Sequence, residues 1–298
     1  MTFISAWLLL GADLVSSQPA AFRENERWVL DLDVTPDGNI VVILHTGEAF
    51  ISAPNFTGRI NLRLTGKSVG NLYRGNACVD NQGRIYIFNT YHQRFDVFGP
   101  DGQFLRNITL KDTVWFVDCF VYPDGRIAVL SDWFHLAYLI DSTGKIVGQT
   151  GPYWDPKEHA TGREGRLVRV DTATGTAAKW DFIYVPYNLT EDTILVFDKS
   201  GAIARKYPPN PNYPPGALCR AAGWRKNALW VLLSWYPPPD GETRYVGVMM
   251  ERIAGNTREL DTLFTKSPRF FRRAEISGNK VYLIHEDESL TLEVWEMK

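Results

Sequence analysis

Histidine is the residue type in this chain with the most direct capacity for metal chemistry, and all five copies fall in segments predicted to be loops. Neutral imidazoles suit zinc and other transition metals, and three that converge could hold an ion with one position open for water. No HExxH motif or other close ligand spacing occurs, so a site would have to be assembled from distant loops. The sequence leaves open a divalent metal, Zn²⁺ or Ca²⁺. Its candidate ligands are His45, His92, His135 and His285.

The same predicted loops are rich in tryptophan, tyrosine and acidic side chains. Trp, Tyr and Arg carry much of the binding energy at interfaces, so these loops favour a surface for a protein or a small-molecule ligand. Asp132, Glu286 and Asp287 could also orient metal-bound histidines or act as acid and base. The candidate binding residues are His45, His92, Arg94, Asp132, Trp133, His135, His159, Tyr187, Trp235, Tyr236, His285, Glu286 and Asp287.

Composition narrows the class of protein that must position these side chains. Among 298 residues there are 32 Lys plus Arg and 34 Asp plus Glu, a net charge of -2. With no basic excess and no polybasic run, neither a nucleic-acid partner nor an anionic membrane surface is predicted. The aromatic share is 13%, and 24 Gly and 17 Pro are present. Aromatic residues together with many turn formers favour strands over helices.

The cysteines and the first twenty residues add two expectations. Cys78, Cys119 and Cys219 form no CxxC pair, which indicates three buried thiols rather than a disulfide framework. The apolar stretch Phe3–Leu10 is too short to span a membrane, and no Lys or Arg precedes it as in a secretion signal. These residues could form a targeting segment or a structural strand, and we prefer a structural strand that spans Ile4–Leu10.

A repeated pattern of strands and turns runs along the whole chain. The strings DVTPDGNIVVIL from Asp33, CVDNQGRIYIF from Cys78 and FVYPDGRIAVL from Phe120 each read as strand, tight turn and strand. The anchors of these turns are 42 to 52 residues apart, and they are Gly38, Gly83, Gly125, Gly175, Lys226 and Gly278. A period of about 40–50 residues with four strands per unit is typical of a β-propeller.

We therefore predict a single all-β domain over residues 1–298, a six-bladed β-propeller. The last unit lacks its outer strand, and a strand at Ile4–Leu10 paired with Thr291–Glu296 would close the ring. A β-sandwich would not produce four-strand units with hairpins at matched offsets. The predicted blades span about 28–66, 70–110, 113–150, 164–207, 216–265 and 269–298, the last completed by the strand 4–10.

The first three units also resemble a known repeat family. AFRENERWVLDLDVTPDGNIVVIL and NQGRIYIFNTYHQRFDVFGPDGQFLRNI resemble NHL repeats of six-bladed propellers, over roughly residues 20–150. LVRVDTATG, from Leu167, is similar to a strand of the gluconolactonase and strictosidine-synthase-like propellers. The opening Glu-Gly-Pro segment, whose glutamate ligates the metal in the gluconolactonase group, is missing here.

The resemblance implies a monomeric binding or protein-interaction module, outside the cytoplasm as many NHL-like bacterial propellers are. Its binding rim would be the one formed by the loops between second and third strands and between blades. The alternative is a metal-dependent hydrolase or lyase, lactonase-like or amidating-lyase-like, with its site at the channel mouth.

Two further features concern the channel and its surroundings. Polar residues on the predicted inner strands could line a water-filled channel, and they are Asp31, Asp33, Asn76, Asp118, Arg220, Arg272 and Arg273. The proline-rich segments from Tyr207 and from Tyr236 are stiff. They would serve either as rigid connections or as a wall that shapes a groove.

Overall fold

The fold was obtained as a computed structural model, which describes residues 12–19, 29–53, 58–62, 76–114, 116–131, 136–150, 165–170, 182–237, 246–267, 270–286 and 290–297. These residues form 24 β-strands. In chain order the strands are β1 (Ala12–Pro19), β2 (Val29–Val34), β3 (Ile40–Leu44), β4 (Ala49–Ser52), β5 (Arg59–Leu62), β6 (Ala77–Val79), β7 (Ile85–Asn89), β8 (Arg94–Phe98), β9 (Phe104–Thr109), β10 (Phe116–Val121), β11 (Ile127–Ser131), β12 (Leu136–Ile140), β13 (Ile146–Thr150), β14 (Gly165–Arg169), β15 (Phe182–Pro186), β16 (Ile194–Phe197), β17 (Ile203–Tyr207), β18 (Leu218–Arg225), β19 (Ala228–Trp235), β20 (Val246–Ala254), β21 (Thr257–Ser267), β22 (Phe270–Ser277), β23 (Lys280–Glu286) and β24 (Leu290–Met297).

The strands make six antiparallel four-stranded sheets, which we call blades 1 to 6. Blades 1 to 5 are consecutive, beginning with β2–β5 and ending with β18–β21, and blade 6 has the order β22, β23, β24, β1. The first strand of each blade contacts the first strand of the next, and β22 contacts β2, so the ring is closed. The predicted six-bladed β-propeller is confirmed. No helix in the described ranges is long and apolar enough to cross a membrane.

The position of a strand within its blade decides how apolar it is. The second strands are covered on both faces by neighbouring blades, and every residue of β3, β7 and β15 is buried. The fourth strands lie at the outside, so β9 and β17 are mostly exposed, including apolar residues such as Leu105 and Ile203. Aromatic rings fill the space between blades; Phe88 of blade 2 lies 4.5 Å from Phe116 of blade 3, centroid to centroid.

The predicted hairpin turns between first and second strands occur where the repeat placed them. Gly38, Gly83 and Gly125 have φ of 86°, 76° and 83°, the left-handed region that a side chain disfavours. In blade 5 the turn has no glycine, and Lys226 and Asn227 themselves take φ of 47° and 57°. The fourth anchor, Gly175, lies outside the described residues.

An N-terminal strand closes blade 6 as predicted, but its position differs. The strand paired with β24 is β1, with Ala12 opposite Met297 and Pro19 opposite Thr291. Assigning this place to Ile4–Leu10 was wrong, and that segment lies outside the described residues. The prediction assumed that a missing strand must be apolar, whereas the fourth strands β9 and β17 are mostly exposed and include polar residues. The sequence of β1, ADLVSSQP, fits that position.

The three cysteines are free and buried, as the sequence predicted. The connection Pro208–Gly216 between blades 4 and 5 is anchored to blade 5. Asn210 and Tyr213 are buried and both donate hydrogen bonds to the Glu251 carboxylate on β20. Of the two predicted roles for this proline-rich segment, rigid connection is the one that these contacts describe.

Candidate functional site

The axis of the propeller is lined by polar side chains that come from the first strand of each blade. The blades contribute, in order, Asp31, Asn76, Asp118, Arg166, Arg220 and Arg273. Several of them join neighbouring blades. Asp31 accepts a hydrogen bond from the Ala77 N–H at 2.8 Å, and Asp118 accepts one from the Leu167 N–H at 2.6 Å. The prediction that inner-strand polar residues line the channel is confirmed for the described side chains.

Arg166 divides the channel into two cavities. Its NH1 group lies 3.9 Å from Asp31 Oδ1 and 3.6 Å from Asp118 Oδ1, and its NH2 group donates to the Arg220 carbonyl at 3.4 Å. The guanidinium from blade 4 thus reaches blades 1, 3 and 5. The two cavities share Asp31 and Arg166 in their linings.

The two cavities open toward opposite faces of the propeller. We call the face that carries the turns between first and second strands the turn face, and the opposite one the loop face. The larger cavity, about 300 Å³, includes Pro36, Asn81 and Gly278 of those turns in its lining and so lies toward the turn face. The smaller one, about 60 Å³, includes Tyr187, which follows a second strand, and lies toward the loop face. The candidate rim was predicted on the loop face, whereas the larger cavity lies at the other end.

We call the larger cavity the acidic cavity because its lining holds five carboxyl groups and the two guanidinium groups of Arg166 and Arg169; the carboxyl groups are those of Asp31, Asp33, Asp80, Asp118 and Glu275. Asp80 is paired with Arg84. Among the described residues, Arg166 lies within ion-pair distance of Asp31 and Asp118 only. Asp33 Oδ1 accepts a hydrogen bond from the Val34 N–H at 2.6 Å. In the described part of the chain, no cationic group lies within 4 Å of the Asp33 or Glu275 carboxyl.

Burial of these acids together raises their pKa values. Loss of hydration raises the pKa of Asp33 to about 8, and the nearby charges of Asp31 and Asp118 act in the same direction. Burial raises the pKa of Asp118 to about 6, although Arg166 opposes the shift. Burial, reinforced by the charge of Asp33, raises the pKa of Glu275 well above its ordinary value. At neutral pH some of the carboxyl groups in this cavity therefore remain protonated.

Two cysteines line the same cavity without becoming reactive. Cys78 and Cys119 come from adjacent blades and their thiols hydrogen-bond to each other. Burial is the main cause that raises the pKa of both thiols, and the nearby carboxylate charges add to it. Since the thiolate is the nucleophile and the metal ligand, both groups are held in their unreactive form.

The described residues do not assemble a metal site. No group of three or more His, Cys, Asp or Glu side chains within the described ranges could hold a metal ion. At the axis, Arg166 supplies the positive charge between Asp31 and Asp118 that a metal ion would otherwise provide. Of the four predicted ligands, His135 lies outside the described residues.

The predicted rim residues on blades 1 and 2 lie in separate turns. His45 is exposed in the turn between β3 and β4, and His92 is partly buried in the turn between β7 and β8, where its ring packs edge-on against Tyr91. Arg94 is held by the fully buried Asp96, with 2.9 Å between Nε and Oδ1. These side chains occupy the loop face, but none of them lines either channel cavity.

The prediction that His285 lies in a loop of the binding rim was wrong. This residue is 2% exposed within β23, on the side of blade 6 that packs on blade 5, and its Nε2 lies 3.2 Å from Glu293 Oε1. Trp295 donates a hydrogen bond to the other oxygen of Glu293. The strand β23 continues through Glu286, so a residue predicted in a loop is part of the sheet. Asp132, Trp133, His159 and Asp287 lie outside the described residues.

Aromatic residues of blades 4 and 5 do come together at the loop face. The Arg220 guanidinium contacts the hydroxyls of Tyr187 at 3.3 Å and Tyr236 at 3.5 Å. Trp235 follows Ser234 on β19, and its ring packs against Gly247.

Of the residues that line the channel, Arg166 and Glu275 were not identified from the sequence at all, and Arg220 was treated as a structural channel residue.

Comparison with known proteins adds support for the fold. The sequence matches no protein-family model and no curated protein sequence. Selenomethionine-substituted virginiamycin B lyase from Staphylococcus aureus is similar in structure, with a TM-score of 0.60 and 10% identity over 97% of this chain and 100% of that one. A member of the DUF4221 family from Bacteroides vulgatus has a TM-score of 0.59 and 13% identity, over 97% of this chain and 99% of that one. The Pan2 WD40 domain from Neurospora crassa has a TM-score of 0.54 and 10% identity, over 96% of this chain and 95% of that one. At these identities the similarity extends to the propeller fold alone.

Proposed function

We propose that this propeller is a binding module whose acidic cavity takes a small ligand bearing a protonated amine or guanidinium group. The observation that carries the proposal is the pair of carboxyl groups on Asp33 and Glu275, which face the cavity with no cationic partner within 4 Å in the described part of the chain. Polar groups placed in a cavity by a rigid frame are the usual means of orienting a ligand.

Electrostatics supports a cation as the ligand. Arg84 pairs with Asp80, and Asp31 and Asp118 share the single charge of Arg166. Ionisation of Asp33 and Glu275 is therefore opposed by burial and by mutual repulsion. A ligand cation would remove that repulsion, and the carboxyl groups would release protons as it binds. The ion pairs formed with the ligand must outweigh the free energy of ionising these carboxyl groups, and that cost falls as pH rises.

The size and walls of the cavity limit the ligand. A volume of about 300 Å³ lies at the lower end of small-molecule sites, which suits a single amine or guanidinium with a short chain. Trp224 contributes to the same lining. An aromatic ring face attracts a cation and also packs against methylene groups. A linear diamine or a guanidinoalkylamine combines these features.

Calorimetric titration with agmatine tests the proposal, with n-butanol as an uncharged compound of similar length. We expect agmatine to bind and butanol not to bind. Glu275→Gln should weaken agmatine binding at least about tenfold, because it removes a charged hydrogen-bond partner. Glu259→Gln, on the exposed strand β21, is the matched control and should leave binding unchanged.

The pH dependence provides a second readout of the same experiment. Since the carboxyl groups must ionise to pair with the ligand, affinity should rise as pH increases from about 6 to about 8, with protons released to the buffer. Equal binding of butanol, or affinity independent of pH and of Glu275, would overturn the proposal.

A further inference from the structure

The second channel cavity, at the loop face, is organised around Arg220. Its Nε donates a hydrogen bond to Ser234 Oγ at 2.6 Å, and its NH1 donates to the Tyr187 hydroxyl at 3.3 Å with the guanidinium 5.8 Å from the centre of that ring. Within the described ranges, the hydrogen-bond partners of the guanidinium are neutral hydroxyl groups. In the described part of the chain, no carboxylate lies within 4 Å of this partly buried guanidinium.

The other charged groups of this cavity do not compensate Arg220. Arg166 and Arg273 are also in the lining, so among the described lining residues there are three guanidinium groups and one carboxylate, that of Asp31. Arg273 donates to the Leu30 carbonyl and has further contacts of its own. Asp31 is already engaged, because it pairs with Arg166 and accepts the Ala77 N–H. A partly buried charge with no opposite charge nearby is costly, and binding an anion removes that cost.

We infer that the loop-face cavity binds the carboxylate of a ligand whose aromatic or apolar part lies against Tyr187 and Tyr236. The cavity is small, about 60 Å³, which suits a compact polar group such as a carboxylate. The planar guanidinium matches a carboxylate through two parallel hydrogen bonds, and N–H groups of Arg220 not used by the hydroxyls supply them.

The tyrosines define the remainder of the ligand. Each phenol group accepts a hydrogen bond from Arg220 and still has its own O–H to donate to an anion. Tyr236 is 55% exposed, so its ring offers apolar surface just outside the cavity. This site is distinct from the acidic cavity in position and in charge, and it goes beyond the function proposed above.

Titration with phenylacetate, followed by ligand-observed NMR and calorimetry, tests the inference. Arg220→Met keeps the length and apolar stem of the side chain and should weaken phenylacetate binding at least about tenfold. Tyr187→Phe removes one hydroxyl and should weaken binding roughly two- to fivefold. The matched control is Arg106→Met, on the exposed outer strand β9, which should have no effect.

Further probes test whether the cavity recognises the carboxylate group itself. Phenylacetamide has the same shape without the charge and should not bind, and inorganic phosphate should bind more weakly than phenylacetate. Arg220→Lys keeps the positive charge but lacks the planar pair of N–H donors of the guanidinium, so it should retain part of the affinity for phenylacetate. Partial binding by this variant would show that the loss in Arg220→Met comes from the missing charge and not from misfolding.

Three results would overturn the inference. The first is phenylacetamide binding as tightly as phenylacetate. The second is no phenylacetate binding up to about 10 mM, a concentration that would detect interactions as weak as about -3 kcal/mol. The third is phosphate binding more tightly than phenylacetate with the same dependence on Arg220, which would exclude the carboxylate. Glu275→Gln should leave phenylacetate binding unchanged, so failure at this site and failure at the acidic cavity are distinguishable.

Discussion

At the scale of single residues, the channel shows how burial changes the chemistry of an ordinary aspartate. Asp33 keeps a hydrogen bond from its neighbouring backbone N–H, which favours the ionised form, yet its pKa is raised to about 8. Loss of hydration and the charges of Asp31 and Asp118 outweigh that bond. The folded protein therefore holds a proton that the unfolded chain, with an ordinary pKa of 3.8, would release.

This proton makes stability depend on pH in a defined direction. Because the folded-state pKa of Asp33 lies above its unfolded value, the free energy of unfolding should fall as pH rises from about 4 to about 8. Asp33→Asn removes the contribution of Asp33 to this dependence and should raise the free energy of unfolding at pH 8 by about 1 kcal/mol, a discounted share of the shift. Urea unfolding of both proteins at pH 6 and pH 8 measures the change.

The control for this experiment is Asp112→Asn, an exposed carboxylate in the connection between blades 2 and 3. It should leave the difference in stability between pH 6 and pH 8 as it is in the parent protein. Parallel pH profiles for the parent and Asp33→Asn would show that Asp33 ionises normally in the folded state.

At the scale of elements, the hairpin of β20 and β21 fixes the proline-rich connection. Glu251 is fully buried on β20, and Arg258 on β21 donates to both of its oxygens, at 2.8 Å and 3.0 Å. Asn210 and Tyr213 of the connection complete the set of hydrogen bonds around the same carboxylate. One side chain thus holds blade 5 and the chain that leads into it.

The hairpin contains its own control for the strength of this interaction. Glu251→Gln should lower the free energy of unfolding by about 3 kcal/mol, because Arg258 is left without its counter-charge in a buried site. The neighbouring cross-strand pair Arg252–Glu259 is exposed, and Glu259→Gln should cost less than about 1 kcal/mol. Equal losses in the two variants, measured by urea unfolding, would contradict a special role for Glu251.

At the scale of the whole molecule, β1 joins the beginning of the described chain to its end. The pairing with β24 runs from Ala12 opposite Met297 to Pro19 opposite Thr291 and gives blade 6 its fourth strand. Without it, β24 would be an edge strand with unpaired backbone groups. Ring closure in this propeller therefore depends on a segment far from β24 in sequence.

Removing residues 1–19 should weaken the entire ring. We expect the free energy of unfolding to fall by at least about 3 kcal/mol, since several strand hydrogen bonds of about 1 kcal/mol each are lost. Removal of residues 1–11, which keeps β1, is the control. A synthetic ADLVSSQP peptide should partly restore the melting temperature of the longer deletion. Identical urea midpoints for the two deletions would show that β1 does not close the ring.

The repeat predicted the architecture well because each blade begins with a tight hairpin whose turn residues are visible in the sequence. Gly38, Gly83 and Gly125 mark positions where the backbone requires a left-handed conformation, and that requirement has a clear signature. The outer strand β1 was misplaced because its polar composition gives no such signal.

The candidate site was harder to predict, because position relative to the axis is a property of the ring and not of local sequence. His45 and Arg94 sit in or beside turns between second and third strands, away from the axis, whereas Asp33 and Glu275 lie on first strands and reach it. Arg166 offered one usable signal: it occupies in blade 4 the place that Asp118 occupies in blade 3, opposite the equivalent residue of the second strand.

The position of Arg166 at the centre has a consequence for the passage of solutes along the channel. Its guanidinium lies within 4 Å of Asp31 and Asp118 and is part of the lining of both cavities, so it lies across the axis between them. We therefore expect a solute bound in one cavity to leave by the face from which it entered. The two proposed ligands carry opposite charges, and we expect them to bind in either order.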